Sequence, residues 1–217
     1  FDAQSRLLLL RHGEVNILTA RDAQDRPFMV LTEQARFKHV RSVRHKPGGP
    51  TSPTQVGRSR SLMSDEHWRR SYAALQGLGL HFDLQTPWWN LLEAEHLARD
   101  FPATTLILNH AGLPSDRSAE GLAGWRTAMA RLAEYPNVQV KISGLGQGGQ
   151  RWRAKDNAWI VREVIAMFGS DRAMFASNFP VDSLCGSFDG IYSGFKHIVR
   201  DRSASDQQHL FYSNAQR

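Results

Sequence analysis

The polar side chains that could do chemistry gather at one repeating position in this chain, just after short apolar runs. Arg44 and His45 close one run. Asp83 and Gln85, with Trp88 and Trp89, close the next. Asn109 and His110, then Lys141 and Ser143, and finally Ser177, Asn178 and Asp182 follow the later ones. A histidine can pass a proton near neutral pH, cations can hold an anion, and a carboxylate can accept a proton. Each also has a plain structural alternative: His110 as a satisfied strand-end residue, Asp83 as a turn cap, Lys141 as half of an ion pair. Their recurrence at the same place in successive units favours a shared site.

The runs themselves read as strands that must position these groups. Val15–Ala20, Val40–His45, Leu80–Gln85, Thr104–Asn109, Val138–Ser143 and Ala173–Ala176 are β-branched or continuously apolar, as suits strands buried on both faces. Helices are expected over Asp25–Phe37, from Asp65 (as cap) to Gln76, over Leu91–Asp100 with Asn90 as cap, Gly121–Tyr135 and Ala158–Phe168. Two further pieces follow, Gly186–Arg202 and Ser205–Asn214. Residues 2–12 read as a helix end capped by Gly13. Residues 46–64 form a long loop rich in Gly, Pro, Ser and Thr, and Gly144–Gly149 a glycine-rich one. Strand and helix alternate throughout, which predicts an α/β fold with a parallel sheet and right-handed crossovers. Six such units fall short of the eight that close a (β/α)8 TIM barrel, whose functional groups sit at the strand C-termini. Because the chain starts at Phe1 inside a helical pattern, residues 1–217 are expected to be a single barrel domain without its first two βα units.

Composition narrows the function classes. With 41% apolar and 22% charged residues the chain is globular in type, and no run approaches the roughly 18 apolar residues of a membrane span. The net charge of +6 is spread among acids, with Arg69-Arg70 and Arg151-Trp152-Arg153 the tight groups. No zinc-finger or RNA-recognition pattern accompanies it, so neither nucleic acid nor membrane is an expected partner. An anionic small molecule facing arginines fits better. A single cysteine, Cys185, suits a reducing cytoplasm.

The segments LILNHAGLP, PNVQVKISGL and DRAMFASNFPVD, in that order and spacing, resemble the amidohydrolase superfamily. The similarity is to its branch of TIM-barrel lactonases and related metal-dependent hydrolases. FKHVRSVRHKP and GLHFDLQ extend it upstream, so that it covers about residues 10–217. The resemblance implies that the strands here are the third to the eighth, and that His110 binds metal or polarises a substrate carbonyl. It implies one divalent metal, zinc or manganese, in the full-length protein, although some relatives open lactones without metal. Two departures matter. The position of the family's general base is Asn178, which cannot accept a proton at neutral pH; Asp182 is the nearest carboxylate. The His-x-His pair of the family's first strand has no counterpart in this sequence.

The reading that follows is hydrolysis of a sugar, pyrone or muconate-type lactone. Water would be activated by Asp182 or a metal. His110 and Lys141 would meet the oxyanion, and Arg44, His45, Asp83, Gln85 and Ser143 the substrate, with Trp88 and Trp89 as walls. Two alternatives stand beside it: an inactive barrel that binds a small organic acid or lactone, and a related decarboxylase. A homo-oligomer is left open. Leu9-Leu10-Arg11-His12-Gly13-Glu14 also resembles the phosphohistidine motif of histidine phosphatases. That motif belongs at the end of a first strand, whereas here it is expected at a helix end.

Overall fold

The computed structural model describes residues 14–16 and 35–216. The helix over 2–12 and its Gly13 cap lie outside the described residues, as does nearly all of the helix expected over Asp25–Phe37. Six strands form one sheet: β1 (Glu14–Asn16), β2 (Ser42–His45), β3 (His81–Leu84), β4 (Leu106–Leu108), β5 (Val138–Ile142) and β6 (Ala173–Phe175). They lie in sequence order, and every neighbouring pair is parallel. β1 is described from Glu14, one residue before the expected strand, and the Arg-His-Gly sequence lies outside the described residues.

Side-chain alternation divides the sheet into two faces. Val43, Phe82, Leu84, Leu108, Val140 and Phe175 belong to the main apolar core beneath the helices. Asp83 pairs in register with Ile107, and Lys141 with Met174. Ile107 and Met174 are buried yet stand outside that core, on the face that also carries the polar groups.

The helices are α1 (Glu66–Gly77), α2 (Leu91–Asp100), α3 (Ala119–Ala133), α4 (Ala154–Phe168), α5 (Phe188–Ile198) and α6 (Ala204–Gln208). Asp65 caps α1 as expected, accepting from the Trp68 amide at 2.8 Å. Ser118 and Ser187 cap α3 and α5 in the same way. Asn90 precedes α2 without capping it, since its backbone is not in the extended conformation of a cap residue, and its Nδ2 donates to the Pro50 carbonyl. α4 starts four residues before the expected Ala158, since its first turn is polar and carries no apolar period. After α6 come a π-turn, His209–Ser213, and a short helix that begins at Asn214, whose Nδ2 donates to the carbonyls of Ser170 and Ala173, both at 2.7 Å. That bond ties the last helical piece to the start of β6.

The long loop after β2 is anchored. It holds two short 3-10 turns, Pro53–Gln55 and Leu62–Ser64. The Glu93 carboxylate accepts from the Ser61 amide and from the hydroxyls of Ser61 and Ser64. Among the described residues no helix is long and apolar enough to cross a membrane.

Candidate active site

Strand ends alone bring most of the expected residues together. On the polar face, Ser42 Oγ donates to Asp83 Oδ2 at 2.6 Å and Lys141 Nζ to Asp83 Oδ1 at 2.7 Å. Asp83 is 1% exposed. Burying a carboxylate is costly unless it is paired and hydrogen-bonded, and here both oxygens are engaged. Arg44 Nη2 donates to Asn109 Oδ1 at 3.4 Å, linking the ends of β2 and β4. Ser42 was not foreseen; its place two residues before Arg44, on the same face of β2, was the available signal.

His110 sits in an unusual backbone turn. His110, Ala111, Gly112 and Leu113 all have positive φ, at 55°, 48°, 69° and 56°. Three of these are not glycine, and left-handed conformations of such residues cost about 1–3 kcal/mol each. The turn is held from outside by Trp125 of α3, whose indole donates to the Ala111 carbonyl at 2.7 Å. His110 Nδ1 lies 2.9 Å from Ser143 Oγ. When that hydroxyl donates, Nε2 carries the proton and becomes the outward donor. The ring is backed by Gly144, where a Cβ would come within 2.8 Å of it. Burial pushes the His110 pKa down to about 4, and the nearby cations Arg44, Lys141 and Lys46 add to this, with Asp83 opposing. His110 is therefore a neutral imidazole at neutral pH.

Asp182 follows β6 in a short 3-10 turn and is 6% exposed. Asn178 Nδ2 donates to its Oδ1 at 2.8 Å, and the Gly146 amide also bonds to it. Burial raises its pKa above the usual carboxylate range, with those two hydrogen bonds opposing. Asn178 thus serves as a donor to the adjacent carboxylate.

Several expected residues stand elsewhere. His45 cannot share Arg44's face. Its ring stacks on Trp68 of α1, and its Nδ1 accepts the Trp68 indole proton at 3.1 Å, so it belongs to the helix-facing side. Trp88 packs against α3, where a Cβ on Gly124 would lie 2.6 Å from its ring. Trp89 donates to the Pro50 carbonyl at 2.7 Å. Both tryptophans fasten the β3 exit loop. Gln85 is half-buried, with its amide bonded to the His45 carbonyl. Ser143, expected to touch substrate, is the partner of His110.

A divalent metal does not fit the described residues on their own. No three His, Cys, Asp or Glu side chains among them converge to hold an ion. Asp83 is taken up by Lys141 and Ser42, and Asp182 by Asn178 and Gly146. His110 Nε2 could supply a single ligand.

A parallel α/β sheet with charged and imidazole groups at its C-terminal edge is the arrangement of an α/β barrel, whose functional groups sit at the strand C-termini. Residues 20–217 match the amidohydrolase family, and the chain belongs to it. It is 42% identical over 191 residues to the uncharacterized protein y4mH of Sinorhizobium fredii, covering 86% of this chain and 63% of that one. It is 31% identical over 170 residues to an L-fucono-1,5-lactonase of Burkholderia multivorans, covering 73% of this chain and 57% of the relative. The chain thus spans about three-fifths of the length of these curated relatives. A crystal structure of an amidohydrolase from Burkholderia multivorans with bound zinc superposes with a TM-score of 0.78 at 25% identity. That match covers 98% of this chain and 76% of the other.

Proposed function

We propose that the protein of which these residues are part opens a lactone ring by hydrolysis. The observation that carries the reading is a buried, neutral His110 oriented by Ser143 and surrounded by Arg44 and Lys141. A neutral imidazole N–H beside fixed cations suits an oxyanion, because preorganised donors act strongly where water is excluded. The lactonase among the relatives supports the same class of substrate.

In the proposed step, a water oxygen bonds to the lactone carbonyl carbon while one of its protons passes to Asp182. The carbonyl oxygen becomes an oxyanion facing His110 Nε2–H and the Lys141 ammonium. The ring C–O bond then breaks, and the departing alkoxide recovers the proton from Asp182, giving a hydroxy acid. Burial of Asp182 favours this role by raising its proton affinity. Arg44 meets a hydroxyl or carboxylate of the substrate. No step passes through a metal.

A panel of sugar, pyrone and muconate-type lactones, followed by pH-stat with the intact protein, tests the reading. Turnover of at least one is expected. Calorimetric binding without turnover across the panel would favour the inactive-barrel reading that Asn178 suggests. Release of carbon dioxide from an aromatic acid would favour a decarboxylase.

A further inference from the structure

A second site lies behind the glycine-rich loop. A cavity of about 390 Å³ opens between the loop after β5 and the N-terminal turns of α3 and α4. It is separate from the strand-end groups: the loop presents Gly144 to His110 and Gly146 to Asp182, while Leu145 and Gln147 of the same loop line the cavity.

Its lining combines cationic and apolar side chains. Arg117, Arg151 and Arg153 face Asp156, and Arg153 Nε is paired with that carboxylate at 2.6 Å. Two arginines are left over. Arg151 is exposed and makes no ion pair among the described residues. Arg117 Nη2 donates to the Leu145 carbonyl and to Asn157 Oδ1, both at 3.2 Å. Its Nε is buried with no hydrogen-bond partner among the described residues. Buried donors without partners are uncommon and call for an acceptor. The lining also includes Leu122, Ile160 and the half-exposed Trp159.

We propose that this cavity binds a small organic carboxylate, its acid group between Arg117 and Arg151 and its apolar body against Trp159, Leu122 and Ile160. The fork of an arginine matches a carboxylate in shape and charge. An occupant would brace the loop whose other side backs His110 and Asp182. The site stands whether or not the lactone reading holds.

Titration calorimetry of the intact protein with phenylacetate, and separately with inorganic phosphate, tests it. Phenylacetate is expected to bind at least about tenfold more tightly than phosphate, and about tenfold more weakly in both R117Q and R151Q. R151Q alters an exposed side chain, so a loss there does not depend on how Arg117→Gln folds. Binding should survive His110→Gln. Loss of binding in His110→Gln with none in R151Q would assign the acid to the strand ends and overturn the site. Absence of heat up to roughly 10 mM ligand would overturn it as well. Phosphate bound as tightly as phenylacetate would overturn the choice of an organic acid.

Discussion

At the residue scale, the decisive property is the charge state of His110. The sequence shows a histidine at a strand end, but its neutrality follows from burial beside three cations, which no local pattern reveals. Its consequence for stability has a definite sign. Above about pH 6.5 the ring is neutral in both folded and unfolded chains. Between there and its folded pKa of about 4, the unfolded chain takes up the proton first. Stability should therefore fall as pH drops through this window, by about 3 kcal/mol for His110. His45, also held down by burial, acts in the same sense. Asp182 acts oppositely, its raised pKa lowering stability as pH rises through it. Denaturant midpoints between pH 7 and 4.5 should show a clearly shallower loss in His110→Gln than in the wild type. Identical slopes would mean that His110 is not buried neutral.

At the scale of elements, the turn after β4 and the loop after β5 act as one unit. The motif NHAGLP marked the strand's end, yet a left-handed run through His110, Ala111 and Leu113 is invisible in a sequence that has one glycine there. Gly144 completes the unit with φ of +62° and no room for a Cβ beside the imidazole. Gly144→Ala should displace the ring, break its bond to Ser143 and cost about 1–3 kcal/mol. Thermal melting would read the loss of stability, and the histidine NMR signals would read the loss of the fixed ring. An unchanged histidine spectrum would contradict the contact. Face assignment was the other limit at this scale. Arg44 and His45 looked alike as neighbours at a strand's end, but the pleat sends one to the polar face and the other to Trp68 of α1.

At the scale of the molecule, the order of strands was legible because each carries a compact apolar run, and all six strands recur in the sheet. Long-range pairs such as Ser42 with Asp83, or Asp83 with Lys141, were not, since they depend on which strands become neighbours. Among the described residues β1 and β6 each have one strand neighbour, and such edges template further pairing. Residues 1–217 expressed alone should self-associate in a concentration-dependent way, measured by sedimentation; a monomer with a cooperative melt would contradict this. The central claim concerns the intact protein and is met most directly by lactone turnover in His110→Ala beside the exposed-surface control His197→Ala. Removing an oxyanion donor should lower kcat by about a hundredfold or more, with the control unchanged. Equal rates in the two variants would contradict the assignment of His110 to the reacting carbonyl.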